Sequence, residues 1–167
     1  MDTNVLLAAY APKDPMNREA RNFLDKNRAL KVASPLTFVE LSAILGRANP
    51  SLDIPTSYTH EYSLRQRIRA SVEYMFHDAD VRLASHVGIS TLRFQQRTIS
   101  LPMEYSSAAK IAHALGLKTL DLLHLAYAHL ISKLQLHIDS FITGDGDILS
   151  KASQIQHELG LTVDRPR

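Results

Sequence analysis

Apolar residues recur along this chain with two different spacings. Several long stretches place them three to four residues apart, as at Leu64, Ile68, Val72 and Met75, which is the spacing of an amphipathic helix. Short apolar runs of strand length lie between these stretches. Helices that alternate with short strands indicate an α/β fold with a mostly parallel sheet.

The same pattern sets the expected element boundaries. Helices are predicted over 5–10, from 14 onward, and over 35–45, 59–76, 102–115, 119–132 and 147–158, with Gly46 and then Asn49-Pro50 as the end signals of the third. Strands are predicted over 30–34, 81–84, 137–143 and 161–163, whereas the pattern over 86–100 does not decide between helix and strand. We expect one domain over residues 1–167, with an extended helical middle segment over 50–100.

Composition narrows the class of protein only modestly. A chain of 167 residues with 45% hydrophobic and 22% charged residues can bury the core of one domain. No apolar run approaches the ~20 residues of a membrane span, and no secretory signal is visible, so we expect a cytoplasmic protein without a membrane partner. The absence of cysteine excludes disulfides and thiolate metal ligands.

Four acidic residues stand where a strand or loop gives way to a helix. They are Asp2 in DTN, Glu40 in PLTFVEL, Asp121 in LKTLDLL and Asp145 in FITGDGDI. In a parallel sheet, the carboxyl ends of the strands are where ligands bind. The four residues therefore predict a carboxylate site assembled from the whole chain.

Each carboxylate has a structural alternative when it is taken alone. Asp2 fits an N-cap, Asp121 a partner of its own helix dipole, and Asp145 a residue of a glycine-rich turn. Glu40 fits a polar helix face, although its apolar neighbours weaken that alternative. Two carboxylates ~4 Å apart repel by ~4 kcal/mol at an effective dielectric of ~20, so a cluster requires a cation. All-oxygen ligands favour Mg²⁺ or Mn²⁺ over zinc.

Two neighbouring residues remain open between two roles. His124 lies one helical turn after Asp121 and is either a hydrogen-bonded core histidine, which we favour, or a residue that orients Asp121 or an RNA group. Asp147 is either a further ligand or the N-cap of the next helix, and we favour the cap. No HExxH, GxGxxG, GxxxxGK[ST] or GxSxG motif occurs, which argues against zinc-protease, nucleotide and serine-hydrolase sites.

The four phrases, in this order, closely resemble the PIN domain family from Asp2 to about Leu149. That family comprises metal-dependent ribonucleases, including the VapC-type toxins of toxin–antitoxin pairs. The resemblance implies a three-layer α/β/α PIN-like fold with about five strands, and a site in which Mg²⁺ or Mn²⁺ supports catalysis. It implies the metal ligands Asp2, Glu40, Asp121 and Asp145, and the supporting residues Thr3, Asn4 and Thr143.

The chain departs from the family pattern at its beginning. In the family an apolar strand precedes the Asp-Thr-Asn phrase and runs through the middle of the sheet, whereas only Met1 precedes it here. We therefore expect either a start upstream of Met1 or a central strand that is missing or shortened. Residues 50–100 are also longer than a compact toxin needs.

The middle of the chain concentrates arginine although the net charge is only +2: Arg65, Arg67, Arg69, Arg82, Arg93 and Arg97. From these residues alone, a solvated helix face is the favoured explanation, and Arg65, Arg67 and Arg69 are the candidate RNA contacts. The resulting hypothesis is a metal-dependent endoribonuclease and toxin, as a homodimer silenced by an antitoxin. The alternatives are an RNA-processing nuclease of the same fold, and a non-catalytic module that binds RNA or protein.

Overall fold

A computed structural model describes residues 1–48, 50–55, 63–85, 87–134, 136 and 138–167. The described residues form a mixed α/β fold, which confirms the predicted class. The helices are α1 Thr3–Tyr10, α2 Asn17–Lys26, α3 Pro35–Ala48, α4 Leu64–Asp78, α5 Met103–Leu115, α6 Thr119–Leu134, α7 Gly146–Ser150 and α8 Ala152–Leu159. The strands are β1 Lys31–Ala33, β2 Val81–Leu83, β3 Ile89–Phe94, β4 Arg97–Pro102, β5 Ser140–Ile142 and β6 Thr162–Asp164.

Most predicted elements are present, with corrected boundaries. Helix α3 does not end at Gly46 but continues to Ala48, because this glycine keeps a helical conformation instead of the left-handed one that ends a helix. The helix predicted over 147–158 is two helices that meet at Lys151. The predicted starts at residue 59, for the fourth helix, and at residue 137, for a strand, lie outside the described residues.

The chain divides into two compact units. The first comprises residues 1–84, 142–144 and 165–167, and the second comprises 85–141 and 145–164. The core of the first unit is formed by α1, α2, α3 and α4 around fully buried side chains: Val5, Leu6, Tyr10, Leu41, Val72 and Met75. In the second unit, α5 packs against α6, which buries residues almost all round, as its continuous apolar sequence predicts.

The described strands pair in three short ladders instead of one continuous five-stranded ladder. Strand β1 pairs with β2 in parallel, β3 pairs with β4 antiparallel, and β5 pairs with β6. In the first unit, Met1 N donates to Val32 O at 2.9 Å, and Asp2 N donates to Ile142 O at 2.9 Å. Residues 1–2 therefore lie between Val32 and Ile142, with one backbone hydrogen bond on each side.

The region without a sequence assignment is an antiparallel hairpin. Its two-residue turn consists of Gln95 and Gln96, with φ of 46° and 66°, which is the left-handed backbone that a type I′ turn requires. Within the segment predicted to be helical, the structure thus has α4 and also this hairpin. Among the described residues, none of the helices combines the length and the apolar character that crossing a membrane requires.

Candidate active site

The carboxylate of Asp2 is buried and held by side chains. Asp2 occupies the N-cap position of α1, yet its side chain makes no capping hydrogen bond. Instead, its Oδ2 accepts hydrogen bonds from Thr143 Oγ1 at 2.6 Å and from Asn4 Nδ2 at 2.8 Å. The side chain is only 7% exposed, and Oδ1 accepts no hydrogen bond from the described residues. Oδ2 is therefore fixed by side chains and not by the helix end, which argues against the capping alternative.

Asn4 joins the first phrase of the chain to the end of strand β5. Its Nδ2 donates to Asp2 Oδ2 and, at 3.2 Å, to Thr143 Oγ1, while its Oδ1 accepts from the Gly144 backbone N–H at 3.0 Å. Because the Gly144 N–H can only donate, the orientation of the Asn4 amide is determined by the network. The structure thus brings together two supporting residues that lie 139 positions apart in sequence.

Glu40 is held by the residue between Asp2 and Asn4. Its Oε2 accepts a short hydrogen bond from Thr3 Oγ1, and the Thr3 hydroxyl lies 3.3 Å from the Thr37 hydroxyl. Thr37 and Glu40 are three residues apart on α3 and hence share a face of that helix. Thr3 and Thr37 are both buried, and Glu40 is half-buried. Glu40 is therefore not on an open polar face, and Thr37 is a supporting residue that the sequence phrase did not single out.

In the second unit, Asp145 is itself the N-cap of α7. Its Oδ1 accepts hydrogen bonds from the backbone N–H groups of Asp147 at 2.7 Å and Ile148 at 3.2 Å. The preference for Asp147 as the cap was wrong, because the helix begins at Gly146 and Asp147 is already inside its first turn. Capping fixes the orientation of the Asp145 carboxylate at the start of a helix, where the dipole favours negative charge.

Lys118 is a cation near the predicted ligands of the second unit. Its Nζ donates to Asp147 Oδ2 at 3.2 Å. This hydrogen bond, together with the negative charges of Asp147, Asp121 and Asp145, raises the pKa of Lys118. Asp121 and Asp145 therefore act electrostatically on the same ammonium group. The signal for Lys118 in the sequence was its place directly before the Thr-Leu-Asp phrase.

His124 lies inside the second unit, on α6, and is only 3% exposed. Its position one turn after Asp121 places the two residues on neighbouring parts of one helix face. Burial at this level agrees with the favoured core histidine. A role in orienting Asp121 remains a proposal.

The family of this chain is decided by comparison of its sequence with family models. The model described as PIN domain matches residues 1–154, which is most of the chain. The chain belongs to the PIN domain family. PIN domains are generally nucleases, so the chain has a nuclease-type fold. No curated protein and no solved structure matches it.

The donor atoms of this PIN domain suit a hard divalent cation. All four predicted ligands are carboxylates, and Asp2 presents an oxygen that is not engaged by other described residues. The first unit contains Asp2 and Glu40, and the second contains Asp121 and Asp145. Within each unit, no three His, Asp or Glu side chains of the described residues form a group that could hold a metal ion.

The three candidate RNA-binding arginines of the PIN domain do not form one patch. All three lie exposed on α4. Arg65 and Arg69 are one turn apart on one face, whereas Arg67 points to the other side of the helix. Arg69 Nε is also paired with Glu73 Oε1 at 2.7 Å. Their RNA contact remains a prediction, with Arg65 the best candidate.

Proposed function

We propose that this PIN domain is a Mg²⁺- or Mn²⁺-dependent endoribonuclease that hydrolyses phosphodiester bonds of RNA. The observation that carries the proposal is the Asp2 network. A nearly buried carboxylate is costly unless hydrogen bonds or a cation compensate for its desolvation. Here the carboxylate is not used to cap its helix, and Asn4 and Thr143 orient it from both ends of the matched region. Orientation of this kind is expected of a ligand that must bind a cation.

Asp2, Glu40, Asp121 and Asp145 would hold the metal. When bound, a divalent ion supplies positive charge to a phosphate group and acidifies a bound water. The side chains of the protein provide orientation: Asn4 and Thr143 fix Asp2, and Thr3 fixes Glu40. In the second unit, the first turn of α7 fixes Asp145.

We further propose that the nuclease is the toxin of a toxin–antitoxin pair. This rests on the resemblance of its phrases to VapC-type toxins. The partners would be RNA, an antitoxin protein that silences the nuclease, and a second copy of the chain in a homodimer. The place of action would be the cytoplasm. An RNA-processing nuclease of the same fold uses the same residues and differs only in its target.

A non-catalytic RNA- or protein-binding module is the second candidate. It is favoured by the hydrogen bonds from Thr3, Asn4 and Thr143, which hold the Glu40 and Asp2 carboxylates without a metal ion. In that case the networks around Asp2 and Glu40 would serve stability alone. RNA would then be bound but not cut.

The test is cleavage of a single-stranded RNA by the purified chain with Mn²⁺, with EDTA as the metal-free control. Asp121→Asn and Asp145→Asn remove charge while keeping side-chain size, and Asp53→Asn, at an exposed carboxylate outside the predicted ligands, is the matched control. We expect the first two to lose cleavage and the third to retain it. Survival of cleavage in both Asp121→Asn and Asp145→Asn contradicts the nuclease assignment. A wild type that binds RNA but never cuts it supports the binding module.

If the chain is a toxin, its expression should also arrest growth, and Asp121→Asn should remove that arrest. Growth arrest that persists in a variant without cleavage contradicts the toxin role. Absence of arrest by an active nuclease points to RNA processing.

A further inference from the structure

The β3–β4 hairpin of the second unit is exposed along almost its whole length. Its strands pair in register from Ile89 opposite Pro102 to Phe94 opposite Arg97. A two-stranded ribbon is at best marginally stable in water unless its side chains find a partner. Yet the residues Leu92 and Phe94 are 43% and 55% exposed. The hairpin thus presents apolar surface that its own unit leaves largely uncovered.

Positive charge is concentrated in this part of the chain. Between Asp80 and Glu104 the sequence contains three arginines and no acidic residue. The net charge of the whole chain is +2, so the remainder of the chain carries −1. Arg93 and Arg97 are exposed, and neither forms an ion pair with any described residue. The hairpin is therefore a locally cationic element whose electrostatic complement is a polyanion.

The register places the charges on both faces of the hairpin tip. Phe94 lies directly opposite Arg97, so these side chains share one face. Arg93, paired with Thr98, projects from the other face because successive side chains alternate across a strand. The tip thus has the exposed Phe94 ring and Arg97 on one face and Arg93 on the other. The two glutamines of the turn lie between the strands. An aromatic ring beside arginines is the combination that binds unpaired bases and their phosphates.

We propose that the tip of this hairpin binds single-stranded RNA, with Phe94 stacking on a base and Arg93 and Arg97 contacting phosphates. The proposal rests on the proposed nuclease function, because it names an RNA contact outside the predicted metal ligands. Single-stranded RNA fits better than duplex RNA, since a base that is already paired and stacked cannot lie on the Phe94 ring. An acidic protein surface would satisfy the arginines but does not require an aromatic ring for stacking.

The experiment measures the affinity of the full chain for a short fluorescein-labelled single-stranded RNA by fluorescence polarisation. EDTA is present throughout, so binding is measured without cleavage. Phe94→Ala should weaken binding by about tenfold, the effect of one lost base stack. Phe94→Trp should retain affinity and Phe94→Leu should not, because leucine keeps apolar volume without a π face. Circular dichroism verifies that each variant is folded.

Salt dependence tests the two arginines separately. Arg93→Ala with Arg97→Ala should reduce the slope of log affinity against log salt concentration by about 1.4, or ~0.7 for each phosphate contact. The matched control, Arg18→Ala with Arg28→Ala, removes the same charge from exposed sites of the first unit and should leave the slope unchanged. An equal effect in the control would assign binding to net charge and overturn the proposal.

Three other outcomes also contradict the hairpin proposal. They are wild-type affinity in Phe94→Leu, an affinity for duplex RNA equal to that for single-stranded RNA, and competition by poly-glutamate as strong as that by unlabelled single-stranded RNA. The last result would identify the hairpin as a surface for acidic proteins.

Cleavage by Asp121→Asn is measured in parallel with Mn²⁺. Loss of cleavage in that variant, with hairpin variants that bind RNA normally, overturns only the hairpin proposal. RNA binding that needs the hairpin, in a chain that never cuts RNA, overturns only the nuclease function.

Discussion

The carboxylates of Asp2 and Glu40 in the first unit and that of Asp145 in the second are held by different kinds of hydrogen bond. Asp2 and Glu40 accept hydrogen bonds from the side chains of Asn4, Thr143 and Thr3. Asp145, in contrast, accepts from backbone N–H groups at the start of α7. The comparison teaches that orientation can come from distant side chains or from a local helix end. A substitution is therefore expected to lower stability and activity by different amounts in the two cases.

The largest effect should come from Asp145→Asn. Asparagine caps a helix nearly as well as aspartate, so the variant should remain as stable as the wild type. It removes one negative charge from the proposed metal site, whose ion contributes several kcal/mol, and cleavage with Mn²⁺ should fall by about 100-fold or more. Initial rates of RNA cleavage at saturating Mn²⁺ measure this. A variant with unchanged activity would leave Asp145 as a cap only.

In a second experiment, the loss of stability on substitution should differ between Asp2 and Asp145. Asp2→Ala removes the acceptor of two side-chain hydrogen bonds, from Asn4 and Thr143, and should lower the free energy of unfolding by about 2–3 kcal/mol. Asp145→Ala loses a helix cap and should cost only about 1 kcal/mol. Urea unfolding with linear extrapolation gives both values. Equal losses in the two variants would contradict the distinction between a side-chain network and a local cap.

Thr143→Val tests the orientation of the Asp2 carboxylate without changing its charge. The substitution keeps the shape of the side chain, but it removes the hydroxyl that donates to Asp2 Oδ2. Cleavage should fall by about 10- to 100-fold, as is typical when a group that orients a metal ligand is lost. Thr143→Ser keeps the hydroxyl and is the control. If valine and serine have the same activity, the hydrogen bond to Asp2 has no catalytic role.

The smallest effect concerns pH and a polar cluster of the first unit. Asp78 Oδ2 accepts hydrogen bonds from Tyr10 OH at 2.6 Å and Arg21 Nη1 at 3.0 Å. Burial acts to raise the pKa of Asp78, but the Tyr10 hydrogen bond and the Arg21 charge outweigh it, so the pKa is lowered. A lowered folded-state pKa gives stability that is present above the unfolded value of 3.8 and is lost as pH falls through the folded value.

Because the Arg21–Asp78 pair is partly exposed, this contribution should be below about 1 kcal/mol. Urea unfolding in mildly acidic and in more strongly acidic buffer measures it. Asp78→Asn should reduce the dependence of stability on acid pH. An unchanged profile in this variant would assign the acid sensitivity to other carboxylates.

The sequence predicted the helix starts that position the candidate carboxylates. A continuous apolar pattern identified α6 around Asp121, and an apolar run before Gly144 identified β5 before Asp145. The family resemblance implied Thr3, Asn4 and Thr143 as supporting residues, but no sequence pattern predicted which carboxylate each of them contacts. Thr143 and Asp2 are 141 positions apart, and no local pattern relates two residues at that distance. The Thr37 hydroxyl was missed for the same reason, because its partner Thr3 belongs to another helix.

The hairpin turn and the N-cap of α7 were not predicted from the sequence. The usual residues of a hairpin turn are absent, and two residues able to cap the helix are present. The hairpin turn contains Gln95-Gln96, whereas Asn-Gly or Asp-Gly is the common signal for positive φ at both positions. In the Gly-Asp-Gly-Asp phrase, Asp145 and Asp147 are both able to cap a helix. The observed helix start at Gly146 selects Asp145.

The central claim is that the four predicted carboxylates are ligands of a divalent ion. Isothermal titration of Mn²⁺ into the wild type, Asp2→Asn and Asp121→Asn tests it without any RNA. The account predicts binding by the wild type and at least tenfold weaker binding by each variant, since each loses a ligand charge from one site. Undiminished Mn²⁺ binding by either variant, or none by the wild type, would contradict it.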